Sequence, residues 1–122
     1  MSKVIYKNTR LIIADNSGAK IAQCIQVYKG QACGVGDIIR VCIKKVRPDV
    51  RDKFFKKTFL ALVVRTVGRD RDSNGIYNSF SDNAAVLLTE KREPMGTSIA
   101  GPVSRKVEKV SKAVASMAST RY

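Results

Sequence analysis

Between residues 38 and 44, Ile39, Val41 and Ile43 alternate with Arg40, Cys42 and Lys44. A period of two is the mark of a β-strand with one buried face. Four further stretches are short, rich in Val, Ile and Leu, and bounded by turn residues: Arg10 to Ala14, Ala19 to Tyr28, Phe59 to Val67 and Ala84 to Thr89. Each reads as a strand. Several are apolar at consecutive positions, which suits a small closed β-barrel whose strands fill the lumen with one face and are covered on the other. Turn chemistry separates them. Asn16-Ser17-Gly18 divides the first two, Gly34-Val35-Gly36-Asp37 precedes the third, and Pro48-Asp49 opens a long polar loop. Ser73-Asn74-Gly75 predicts a tight hairpin, because an Asn-Gly pair tolerates the positive backbone angles that such a reversal requires.

Beyond Pro102 the period changes. Val107, Val110, Val114 and Met117 recur at helical spacing, with Arg105, Lys109 and Lys112 on another stripe and Ser104 as N-cap. The pattern predicts a mainly β chain of one domain over residues 1–122: a barrel over about 1–100 and a short helical segment over about 103–118. That helix packs its apolar stripe on the barrel, and its basic stripe is either simply solvated or turned towards phosphate.

Charge changes the picture most. The 122 residues carry 23 Lys plus Arg against 10 Asp plus Glu, a formal net charge of +13. The excess is spread over the chain, and only residues 61–90 lack it. Self-repulsion of this size in a small body points to a polyanionic partner, nucleic acid first. The densest stretch, Lys44 to Lys57, holds Lys44, Lys45, Arg47, Arg51, Lys53, Lys56 and Lys57 with Phe54 and Phe55 between them. Basic residues interleaved with rings are a recurrent RNA-binding composition, although a charge run alone is usually a solvated face and one of the two rings is expected in the core. A hydrophobic content of 44% sets the chain apart from a disordered basic tail.

Composition also excludes chemistry. Without histidine there is no imidazole base, no Ser-His-Asp arrangement and no zinc site with a histidine ligand. Cys24, Cys33 and Cys42 are too few for a four-thiolate zinc site and form no C-x-x-C pair. They are expected as reduced thiols in or near the core, in a reducing compartment. Gly34-Val35-Gly36 precedes a strand and lacks a phosphate-loop ending, and Asp70, Asp72 and Asp82 match no calcium loop. No catalytic constellation, cofactor or metal is expected. No apolar run spans a bilayer and no secretory signal or cleavable presequence is visible, so a soluble, non-exported protein is expected.

Several ordered motifs carry a resemblance. Ala14-Asp15-Asn16-Ser17-Gly18-Ala19 is followed by Cys24-Ile25 and Gly34-Val35-Gly36-Asp37-Ile38-Ile39. Then come Ala61 to Thr66 (ALVVRT), Asn74-Gly75, Phe80, Asp82 to Leu88 (DNAAVLL), Gly96-Thr97 and Gly101 to Arg105 (GPVSR). From about Leu11 to Arg105 the chain resembles the family of large-subunit ribosomal protein fourteen, of the bacterial and organellar type. The resemblance implies a closed five-stranded β-barrel with a β-hairpin ribbon and a short C-terminal helical segment. It implies a structural constituent of the large ribosomal subunit that binds large-subunit rRNA at the subunit interface. The implied neighbours are large-subunit proteins three and nineteen, small-subunit rRNA through intersubunit bridges, and a ribosome-silencing factor near the closing motif. Membrane, small-molecule substrate and catalysis are not implied.

Carried onto this sequence, the implied RNA-facing residues are Asn16, Ser17, Lys20, Lys44, Lys45, Arg47, Arg51, Lys53, Arg65 and Arg69. Thr97, Arg105, Lys109 and Lys112 are the implied protein contacts. The segment between Val27 and Gly34 is shorter than in typical bacterial relatives, Ser98 stands where they usually carry Arg, and similarity fades from Lys106 onward. The shortened segment and the divergent C-terminal segment favour a mitochondrial matrix over bacterial cytoplasm or plastid stroma. Two other readings stand beside this one: a ribosome-independent OB-like barrel for single-stranded nucleic acid, which needs exposed aromatics on strand faces, and an enzyme acting on a polyanion through Asp15 or Asp82.

Overall fold

The computed structural model describes residues 5–28, 30, 32–50, 57–66, 70–71, 77–78, 83–96, 98–99, 107, 111 and 114. Five strands close a barrel in the order β2 (Arg10–Ile13), β3 (Ala19–Val27), β5 (Ile38–Val46), β6 (Thr58–Arg65) and β9 (Ala84–Leu88). All neighbours are antiparallel except the closing pair, where β2 runs parallel to β9 with Ile12 opposite Ala84 and Ile13 opposite Ala85. Closure removes the sheet edges that would otherwise template association. A short pair, β1 (Ile5–Tyr6) with β4 (Ala32–Cys33), adds Ile5 and Cys33 to the barrel interior. A second, β7 (Asp70–Arg71) with β8 (Tyr77–Asn78), is the predicted ribbon, with Asp70 opposite Asn78 and Arg71 opposite Tyr77, while the expected turn Ser73-Asn74-Gly75 lies outside the described residues.

The lumen is narrow, and its composition follows from that. Ala19, Ala22, Ala61 and Ala85 share the interior cluster with Leu11, Ile13, Ile39, Val41, Val63 and Leu87, small beside large as a five-stranded barrel demands. Ile43 packs against this cluster from the same face of β5, so the period-two reading of that strand holds. The consecutive apolar residues of β6 and β9 are explained by a second cluster. Leu60, Leu62 and Val64 of β6 and Ala84, Val86 and Leu88 of β9 point outward and are buried with Ile99, Val107 and Val114. Both faces of these two strands are therefore dry, each large side chain contributing about 1.5–3 kcal/mol by burial.

Of the predicted helical segment 103–118, the described residues are Val107, Ser111 and Val114. Both valines are fully buried, and the Ser111 amide donates to the Val107 carbonyl at 2.8 Å. The helix as an element lies outside the described residues, as do Phe54 and Phe55. The cysteines divide. Cys24 and Cys33 are buried in the lumen, but Cys42 lies on the outer face of β5 and is only half-buried, because the alternation that places Val41 and Ile43 inside turns it out.

Candidate nucleic-acid interface

One end of the barrel gathers the basic residues, and two irregularities in the β3·β5 ladder put them there. Ala22 pairs with Ile43 and Ile21 with Lys45, leaving Lys44 as the extra residue on β5. Ile21 pairs with Lys45 and Ala19 with Val46, leaving Lys20 as the extra residue on β3. A bulge adds an unpaired residue and re-aims side chains. Here the interior positions become Ile43 and Val46 on β5 and Ala19 and Ala22 on β3, three apart instead of two. The intervening Lys44, Lys45 and Lys20 are exposed. The apolar spacing of three within a strand was the sequence signal for this displacement.

Arg47 extends the array. Its amide donates to the Gly18 carbonyl at 2.9 Å, which carries the pairing one step beyond the strands. Its Nε lies 3.7 Å from Asp49 Oδ1, and since both groups are exposed the pair is weak and leaves guanidinium donors available. Lys20 and Arg47 flank a recess of about 310 Å³ that is also lined by Ile12, Asp15, Asn16 and Gly18. Ile12 is 44% exposed on this surface, unusual for a large aliphatic side chain.

The floor of the recess is held by Asp15. Its Oδ1 accepts from the Ser17 amide at 3.1 Å and from Ser17 Oγ at 2.6 Å, while Oδ2 accepts from the Leu87 amide at 3.0 Å. One buried carboxylate thus ties the turn after β2 to the closing strand β9. Asp15 also bridges to Ile99, and Asn16 Oδ1 accepts from the Ser98 amide at 3.3 Å. Gly96 completes the junction: a Cβ there would stand 2.8 Å from Asn16 Oδ1 and 3.0 Å from Asp15 Cβ. The Asp-Asn-Ser-Gly run is accordingly a structural clasp, and the acid–base role weighed for Asp15 is excluded by its three inward hydrogen bonds.

The residues singled out from sequence now fall into three groups. Asn16, Lys20, Lys44, Lys45 and Arg47 are exposed at this end. Ser17 and Arg65 are buried, at 9% and 8% exposure, the Ser17 hydroxyl being engaged by Asp15. Arg51, Lys53, Arg69, Thr97, Arg105, Lys109, Lys112 and Asp82 lie outside the described residues. No group of three or more metal-ligating side chains is found among the described residues. On the five barrel strands the only aromatic residue is Phe59, half-buried and packed against the interior cluster, so they offer no stacking platform. The sequence reading missed a polar constellation at the opposite end, where Tyr28, Arg40 and Glu90 meet, because these residues are far apart in the chain.

A model of the family described as ribosomal protein L14p/L23e matches residues 4–122. The chain belongs to that family. The large ribosomal subunit protein uL14 of the archaeon Methanoregula boonei is 40% identical over 124 residues, covering 96% of this chain and 91% of the relative. Membership in L14p/L23e makes this a ribosomal protein, a structural constituent of the ribosome and no enzyme. It bears out the family read from the motifs, and the archaeal relative shows that the likeness reaches beyond bacterial and organellar proteins. The L14p/L23e match also runs past Arg105, where motif resemblance faded, to the C-terminal Tyr122.

Proposed function

We propose that this chain anchors to large-subunit rRNA through the bulged end of its barrel, with Lys20, Lys44, Lys45 and Arg47 neutralising phosphates around the recess and Asn16 hydrogen-bonding at its rim. The supporting observation is the pair of bulges that leaves Lys20, Lys44 and Lys45 exposed at one end of the barrel, with Lys20 and Arg47 bordering a preformed recess. Rigid placement matters, because phosphate contacts fix register and a folded RNA is read by shape. Ser17 serves this surface from beneath, through the clasp at Asp15. Arg51, Lys53 and Arg69 extend the contact along the polar loop and beyond β6.

By family resemblance, proteins three and nineteen are neighbours, small-subunit rRNA is reached through intersubunit bridges, and a silencing factor docks near Thr97, Arg105, Lys109 and Lys112. The shortened connection between Val27 and Gly34 supports a mitochondrial particle. Organelle fractionation followed by immunodetection tests that placement, and recovery with cytosolic ribosomes would reject it.

The anchoring surface is tested by the salt dependence of binding to large-subunit rRNA. Each phosphate contact contributes a slope of about 0.7–0.9 in log K against log salt, so removing Lys44, Lys45 and Arg47 together lowers the slope by about two to three. An unchanged slope would reject the assignment.

A further inference from the structure

Phosphate binding explains the cations at the basic end but not the apolar surface among them. On β2, Leu11 and Ile13 enter the lumen, so Ile12 points outward, and it stands opposite Ile21 in the ladder with β3. Facing partners bring their Cβ atoms to about 5 Å, which makes the two isoleucines one apolar strip. Ile12 is exposed, Ile21 is half-buried, and among the described residues neither joins the two buried clusters. Aliphatic surface left in water gains free energy once a partner covers it.

Charge says what the partner is. Arg10 is exposed two residues along the same face of β2, Lys20 precedes Ile21, and Lys45 is paired opposite Ile21. Lys20 and Arg47 border the recess, whose wall is Ile12 and whose floor is held by Asp15. Anions are thus drawn to the rim, while a phosphate lodged inside would meet the Asp15 carboxylate. The group that satisfies both conditions is neutral, has apolar faces and carries a phosphate on either side. A nucleobase within an RNA strand meets that description. The recess, about 310 Å³, stands at the lower limit for sites that enclose a small ligand.

We infer that the recess takes one unstacked nucleotide of the bound RNA, its base laid against Ile12 and Ile21 and its flanking phosphates held at the rim by Lys20 and Arg47. Bases of loops and bulges are the ones that can be splayed out, so the segment bound here is a loop or bulge and not a continuous helix. The inference rests on the anchoring reading above and narrows it from a charged surface to a nucleotide subsite.

The test measures binding of the full-length chain to large-subunit rRNA across a salt series. Ile12→Ser is expected to lower affinity about fivefold at every salt concentration with an unchanged slope, because an apolar contact releases no counterions. Ile12→Phe is expected to restore binding, since a ring stacks on a base. Benzoylphenylalanine placed at Ile12 and irradiated in purified large subunits is expected to stop reverse transcription at one nucleotide. Unchanged affinity in Ile12→Ser, a loss in Ile12→Phe equal to that in Ile12→Ser, stops spread along a helix, an adduct to protein, or no adduct would each overturn the inference. The basic variants separate the two readings. A slope lowered by removing Lys44, Lys45 and Arg47 while Ile12→Ser binds normally rejects the subsite alone, and a slope unchanged by their removal rejects the anchoring surface and the subsite with it.

Discussion

Replacing Asp15 by alanine opens the clasp that joins the first turn to the closing strand. The carboxylate accepts three hydrogen bonds, from the Ser17 amide, the Ser17 hydroxyl and the Leu87 amide. Hydrogen bonds to a charged group contribute about 1.5–3 kcal/mol each, and a buried donor left unsatisfied costs about 1–3 kcal/mol. The Leu87 amide lies in a fully buried strand and has no water to turn to, while Ser17 keeps a small exposure of 9% through which its groups regain part of their solvation. A net loss of about 3–5 kcal/mol follows from counting the Leu87 bond fully and the Ser17 bonds in part. Asp15→Asn retains the shape but sets an amide NH₂ against either Leu87 or Ser17, so about 2 kcal/mol is expected. With a urea m-value of about 2 kcal/mol/M, the alanine variant shifts the unfolding midpoint down by about 1.5–2.5 M and the asparagine variant by about 1 M. Equilibrium urea unfolding of the purified chain, followed by far-ultraviolet circular dichroism, reads both. A shift below 0.5 M for Asp15→Ala, an order-of-magnitude threshold on the same scale, would refute the clasp.

Gly96→Ala acts on the same junction, since its Cβ would press within 2.8 Å of Asn16 Oδ1. A loss of about 1–3 kcal/mol is expected in the same urea assay, and less than the sum when combined with Asp15→Ala because the two share partners. Cys42, half-buried on the outer face, is expected to alkylate well before Cys24 and Cys33, which are sealed in the lumen. Burial also pushes the Cys24 thiol up against a weaker lowering contact from the Gln26 backbone. Equal rates for the three in folded protein, read by mass spectrometry after iodoacetamide, would contradict the barrel register. Glu90 is held below its ordinary value of about 4.5 by its hydrogen bonds to Arg40. The stabilisation from this pair is therefore present above that ordinary value and lost as pH falls through the lower folded one. Carbon-13 NMR of the Glu90 carboxyl is expected to titrate low in the native chain and at the ordinary value in Arg40→Gln.

The barrel strands were legible because their apolar residues recur in short runs and their turns carry the residues that turns need. Period two placed Ile39, Val41 and Ile43 on one face, and doubly apolar Leu60 to Val64 announced that β6 is covered on both sides, with Ile99, Val107 and Val114 now identified among the cover. What pattern alone did not yield was the work done by polar residues. From sequence Asp15 can be weighed as an acid or base without a partner carboxylate, and only the approach of Leu87, distant in sequence, shows it to be structural. The family resemblance points to Lys20 and the basic run to Lys44, yet the exposure of both depends on two bulges that shift the register between β3 and β5. Ser17 and Arg65, which the family resemblance implies as RNA-facing, are buried, because the hydroxyl turns inward to Asp15 and Arg65 ends a strand dry on both faces. The Tyr28–Arg40–Glu90 constellation joins three separate segments and leaves no local signal.

The central claim is that the bulged, basic end of the barrel faces RNA. Density for the large subunit carrying this chain measures it directly. Backbone phosphates within about 4 Å of Lys20, Lys44, Lys45 and Arg47 are predicted, a distance set by direct ion pairing. Density showing that end bare to solvent, or covered by protein with RNA elsewhere, would contradict the account.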